Sequence, residues 1–228
     1  MSGLLFSIDN GKVEGKMLKN IMCFGDSNTH GFIAASGERY DENTRWTRLL
    51  QRHLGIEYYV IEEGLNGRTT VYDDTEIKNT NGKLYLEVCI ATHKPLDLVI
   101  IMLGTNDTKE RFNASPKDIA NGMEQLIKIL RDPNIYNNEI LIISPIHISD
   151  KILDSPYCES FGGLAGAEKS RKLAAEYKEL AKKYNCHFMD AANYAKADDK
   201  DAIHLDKEGH RALAQAVYQK IKEIEKSL

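Results

Sequence analysis

The stretch Leu96-Asp97-Leu98-Val99-Ile100-Ile101-Met102-Leu103 is apolar except for one aspartate, and Gly104-Thr105-Asn106-Asp107 follows it at once. A short run so rich in Val, Ile and Leu, closed by a glycine, reads as a strand covered on both faces. That is the pattern of a parallel sheet packed between helices. Four more β-rich runs lie on either side: Ile21–Phe24, Tyr58–Ile61, Ile140–Ser144 and His187–Met189. Between them, apolar residues recur at helical spacing. Thr44–Leu54 carries Trp46, Leu49, Leu50 and Leu54. Ser115–Leu130 carries Ile119, Met123, Leu126, Ile127 and Leu130, with Ser115-Pro116 as its start signal. Ala165–Tyr184 and Asp206–Leu228 set Leu and Ala against Lys and Glu. Strands alternating with helices predict an α/β fold with helices on both faces of a parallel sheet.

The chain of 228 residues is long enough for a substantial core and is expected to form one domain over residues 17–228. Residues 1–16 read as an N-terminal extension or a cloning remnant, with Met17 as the alternative start. The formal charge is −4 and acids and bases are interspersed, so the basic footprint of a nucleic-acid binder is missing. No stretch is apolar enough to span a bilayer and no signal peptide is visible, which makes the cytoplasm the expected location. Cys23, Cys89, Cys158 and Cys186 stand far apart, and no cluster has metal-ligand spacing. Neither a metal nor a cofactor is expected. The irregular stretch Ser149–Gly166, rich in Gly and aromatics, reads either as a pocket wall or lid or as a plain surface excursion.

Open parallel sheets bind ligands beyond the carboxyl ends of their strands. Gly25-Asp26-Ser27 stands there, just past Ile21–Phe24. Ser27 reads either as a helix cap or as a nucleophile projecting at the bend. Asp201-Ala202-Ile203-His204 places a carboxylate three residues before a histidine. The carboxylate can turn back to Nδ1 and leave Nε2 free for a serine hydroxyl. The blander reading makes Asp201 the cap of the last helix, a role Asp206 fills equally well. Gly67 in the Gly64-Leu65-Asn66-Gly67 turn, and Asn106 past the central strand, are candidate donors to a negative oxygen. Either is also an ordinary turn residue. His30 and His147 are candidate pocket residues, and Arg68 is a candidate partner for an acid. His53, His93, His187 and His210 read as structural or surface residues, and Trp46 reads as a core anchor.

Together the motifs resemble the SGNH (GDSL-type) hydrolase family over most of residues 20–228. Ser27 matches its block I nucleophile and Gly67 its block II glycine. Asn106 lies in the block III Gly-x-Asn-Asp pattern, and Asp201 and His204 fill the block V Asp-x-x-His. Arg45-Trp46-Thr47, Val60–Leu65, Arg68-Thr69-Thr70 and Pro95–Leu103 are similar to the bacterial arylesterase/acyltransferase branch. The resemblance implies a flavodoxin-like three-layer α/β/α sandwich with a five-stranded parallel sheet. It implies a Ser27–His204–Asp201 triad and an oxyanion hole from the Ser27 N–H, the Gly67 N–H and the Asn106 side chain. It further implies small-molecule ester substrates, hydrolysis or acyl transfer to alcohols or peroxide, and homo-oligomeric assembly. Two features depart from the pattern. Asn28 stands where the family usually has Leu, and residues 131–165 differ in length and composition. A carbohydrate acetylesterase is the first alternative, and a passive anion-binding module at Gly25–Ser27 is the second.

Overall fold

A computed structural model describes residues 12–13 and 16–227. β1 (Lys12–Val13) and β2 (Lys16–Met17) form a two-residue antiparallel pair. The expectation for residues 1–16 otherwise lies outside the described residues. The main sheet comprises β3 (Lys19–Gly25), β4 (Tyr58–Gly64), β5 (Leu98–Met102), β6 (Glu139–Ser144) and β7 (His187–Asp190). Its order is β4-β3-β5-β6-β7, and every pairing is parallel. All five sequence-predicted strands are present, with shifted ends. β4 runs on to Gly64 because Glu62 and Glu63 find partners in Arg45 and His93.

The helices are α1 (Ser27–His30), α2 (Trp46–Leu54), α3 (Gly82–His93), α4 (Pro116–Leu130), α5 (Cys158–Phe161), α6 (Leu164–Lys183) and α7 (Lys207–Ser227). Side chains alternate across a strand, and β5 shows the consequence. Leu98, Ile100 and Met102 enter a core with Trp46 and Leu50 of α2 and Leu213 and Val217 of α7. Val99 and Ile101 enter the opposite core with Ile90 of α3, Leu126 of α4 and Tyr177 of α6. Each such buried aliphatic side chain contributes about 1.5–3 kcal/mol. α4 starts where its sequence says. Ser115 caps it, its hydroxyl accepting from Asp118 N while Asp118 answers Ser115 N, and Pro116 sits in the first turn.

Register brings the functional loops together. Gly25 pairs with Gly64 on one side and Met102 on the other, so the segments after β3, β4 and β5 leave the sheet at one level. A side chain at Gly64 would sit 2.2 Å from His30 N, so α1 can lie against the end of β4 only with glycine there.

Candidate active site

At the end of β3 the chain turns sharply. Asp26 caps α1, its Oδ1 accepting from Asn28 N at 2.9 Å, and Ser27 becomes the first helical residue. Between β7 and α7 the chain returns over this point. His204 Nε2 lies 2.8 Å from Ser27 Oγ, and Nδ1 lies 2.7 Å from Asp201 Oδ2. All three side chains are buried. Burial raises the Asp201 carboxyl, but the hydrogen bond and charge of His204 outweigh it. The N–H groups of His204 and Ile203 add to this, at 3.0 and 3.1 Å, and the carboxyl sits below its ordinary 3.8. An ionised carboxylate only accepts. Nδ1 therefore carries a proton, and in the neutral imidazole it is the lone pair of Nε2 that faces the Ser27 hydroxyl. The Phe32 ring lies 4.4 Å from the imidazole and Tyr157 meets it edge-on at 6.1 Å.

The turn that carries Asp201 and His204 is strained and held from outside. Ala202 has φ +66°, a left-handed conformation unusual for alanine. Ser149 N donates to Ala202 O at 2.9 Å, and Ser155 Oγ donates to Asp201 O at 2.6 Å. Both braces come from the 149–166 stretch, read as irregular in the sequence but folded as a 3-10 segment (Asp150–Asp154), α5 and the start of α6; it also supplies Tyr157, Ser160 and Phe161 to the cleft wall.

Gly67 and Asn106 both face this cleft, of about 400 Å3, with Ser27 and His204. Gly67 has φ +79°, so glycine suits the position for a conformational reason. Asn106 lies on a one-turn 3-10 segment after β5, and its Nδ2 donates to Arg68 O at 3.1 Å. The second hydrogen on that nitrogen remains for another acceptor. No hydrogen bond within the described residues uses the N–H of Ser27 or of Gly67. The next residue, Asp107, is fully buried and accepts from Thr70 N at 2.9 Å and from the Thr70 hydroxyl. It thereby ties the Gly67 loop to the Asn106 turn. Burial pushes both Asp107 and Asp26 up to about 6.

The outer wall of the cleft was not foreseen from sequence. Lys109, almost entirely buried, lies 3.5 Å from Asp74, and Arg111 meets the same carboxylate at 2.8 Å and also pairs with Glu76. Ile77, Tyr157, Phe161 and Ile203 supply apolar surface beside them. The spacing Asn106-x-x-Lys109-x-Arg111 was the available signal. A lone Lys or Arg in sequence carries no sign of burial. Three expectations need correction. Among the described residues Arg68 makes no ion pair with an acid: it donates to the carbonyls of Gly25, at 2.9 Å, and Glu63, and stacks on Phe24 at 4.0 Å. His30 and His147 are not among the cleft-lining residues. Trp46 is a fully buried core residue, as expected.

Among the described residues, no group of three His, Cys, Asp or Glu side chains is placed to hold a metal ion, and no helix is long and apolar enough to cross a membrane. A family model described as GDSL-like lipase/acylhydrolase matches residues 23–212. Among solved structures, the M. smegmatis aryl esterase is 39% identical, with TM-score 0.83, covering 90% of this chain and 99% of that one. Est24, a carbohydrate acetylesterase from Sinorhizobium meliloti, is 37% identical, with TM-score 0.82 and the same coverage. A carbohydrate acetylesterase family member from the same organism is 35% identical, with TM-score 0.85, covering 90% and 98%. A comparison with curated proteins returned no match.

Proposed function

This chain belongs to the GDSL-like lipase/acylhydrolase family and is a carboxylic ester hydrolase; from that premise we propose that Ser27, His204 and Asp201 cleave small esters through an acyl-enzyme. The single observation that carries the reading is the imidazole held between hydroxyl and carboxylate at 2.8 and 2.7 Å. His204 Nε2 takes the Ser27 proton as Oγ attacks the ester carbonyl. The charge that develops on the carbonyl oxygen meets the N–H groups of Ser27 and Gly67 and the free hydrogen of Asn106 Nδ2. As the intermediate collapses, His204 protonates the leaving alcohol. Water, activated by the same imidazole, then attacks the acyl-serine and releases the acid. An alcohol or peroxide attacking in place of water gives acyl transfer. Asp201 keeps the proton on Nδ1 and stabilises the imidazolium.

The apolar part of the cleft, Phe32, Ile77, Phe161 and Ile203, suits a short acyl or aryl group. The wall of Lys109, Arg111, Glu76, Asn66 and Ser160 favours a second reading, in which the alcohol is an acetylated carbohydrate with hydroxyls to be bound. The test compares wild type and Ser27→Ala on an acyl-length series of p-nitrophenyl esters and on acetylated sugars. Expected is turnover fastest for the shortest acyl groups and lost in the variant. Near-native turnover by Ser27→Ala would remove the proposal, and faster turnover of acetylated sugars would select the second reading. No turnover of any ester, and no covalent labelling of Ser27 by a phosphonate, would favour a passive anion-binding module.

A further inference from the structure

Asn28 follows Ser27 directly, is 2% exposed and is not among the residues that line the cleft. Its side-chain amide bonds the chain around His204 through both its oxygen and its nitrogen. Oδ1 accepts the N–H of Leu205 at 2.9 Å, and Nδ2 donates to the carbonyl of Ile203 at 3.3 Å. These are the peptide groups on either side of the histidine, 175 and 177 positions away along the chain. One orientation of the amide satisfies both, because the N–H needs an acceptor and the carbonyl a donor. The backbone N–H of the same residue bonds Asp26 Oδ1, so the turn that presents Ser27 and the loop that presents His204 meet in one residue. The turn that carries the acid is held elsewhere, by Ser155 Oγ on the Asp201 carbonyl and Ser149 N on the Ala202 carbonyl. Leucine, of similar size, would fill the space and make neither bond.

We infer that Asn28 is a positioning residue that sets the separation and tilt of the Ser27 hydroxyl against the His204 imidazole, an inference that rests on the esterase reading above. Proton transfer is steep in distance, and a displacement of about 1 Å at a reacting group costs about 10²-fold in rate. The bridge acts on the chemical step, and the Asn28 side chain itself stands outside the cleft.

The experiment compares wild type, Asn28→Leu, Asn28→Asp and Ser27→Ala at a temperature where circular dichroism shows each folded. It reads kcat and KM for p-nitrophenyl acetate, the rate of Ser27 labelling by a phosphonate, and the far-downfield proton resonance of the imidazole Nδ1–H. For Asn28→Leu the expected result is a loss of about 10²-fold in both kcat and labelling rate, with KM nearly unchanged and the resonance shifted or broadened. Asn28→Asp keeps the acceptor for Leu205 N–H but sets a second acceptor oxygen against the Ile203 carbonyl, so its kcat should also fall below wild type at nearly constant KM. A folded Asn28→Leu with wild-type kcat and labelling rate overturns the inference. Should Asn28→Leu fail to fold, Asn28→Asp decides: wild-type kcat overturns it, and lowered kcat at constant KM supports it. If wild type escapes labelling and Ser27→Ala keeps its turnover, the inference falls with the esterase reading, a failure told apart by those two controls.

Discussion

The two ends of the parallel sheet use the same side-chain chemistry to opposite effect. Where the strands begin, a cleft of about 280 Å3 is lined by Lys19, Tyr58 and Glu225. Lys19 Nζ meets Glu225 at 2.5 Å, and Lys222 Nζ meets the same carboxylate at 2.9 Å and the Tyr58 hydroxyl at 2.9 Å. Lys19, Lys222 and Glu225 keep partial contact with water. Burial raises Glu225, but the bonds from Lys19, Tyr58 and Lys222 prevail and hold it at about 2. Where the strands end, Asp26, Asp107 and Asp201 are sealed from water. Burial wins at Asp26 and Asp107, and both rise to about 6. Glu225 therefore adds stability at neutral pH, and the two buried acids subtract it. The charges at the strand starts are paired and partly wet. The acids beside Ser27 and His204 are dry and kept in place by the rest of the protein.

The contrast can be broken or sharpened by four substitutions. Asp201→Asn should lower kcat by about 10⁴-fold, by favouring the wrong imidazole tautomer, with an unchanged circular dichroism spectrum. A smaller loss, of about 10²–10³-fold in kcat, is expected for Asn106→Ala in steady-state assays, with KM close to wild type. Asp107→Asn tests the cost of sealing an acid. Between its ordinary 3.8 and about 6, the folded state keeps a proton that the unfolded chain has shed, so stability falls as pH rises through that window. Thr70 N and its hydroxyl both bond Oδ1, which an amide carbonyl can replace. Denaturant melts of Asp107→Asn should show that slope flattened, by on the order of 1–3 kcal/mol at neutral pH. Glu225→Gln should have the smallest effect, at most about 1 kcal/mol, with kcat untouched. The Glu225 contribution is complete above its ordinary 4.5 and disappears as pH falls through about 2, so the two melts should converge in acid.

Most of the sheet was legible because parallel strands buried on both faces leave unbroken apolar runs, as Leu98–Met102 and Ile140–Ile143 do. Helices α2, α4, α6 and α7 were legible because each has one polar face. Helix α3 was not. Leu84, Leu86, Val88 and Ile90 alternate with period two, and Leu84 and Val88 are 63% and 60% exposed, so the segment lacks the stripe that marks a helix. In the site, Ser27, Gly67, Asn106, Asp201 and His204 stood out because their residue types are rare together at strand ends; the fold gathers Ser27, Gly67, Asn106 and His204 in one cleft and buries Asp201 behind the imidazole. Lys109, Arg111 and Asp74 stayed hidden, since charged residues in a loop read as solvated. The same holds for the bond of Asn28 to the His204 loop, which depends on a contact between distant segments.

Labelling with a p-nitrophenyl phosphonate, read by peptide mass spectrometry alongside residual activity, tests most directly whether His204 makes Ser27 the nucleophile. Expected is one adduct, on the peptide that contains Ser27, formed in step with the loss of ester turnover and strongly slowed in His204→Ala. An enzyme that loses activity with Ser27 unlabelled, or that is labelled equally fast without the imidazole, would contradict it.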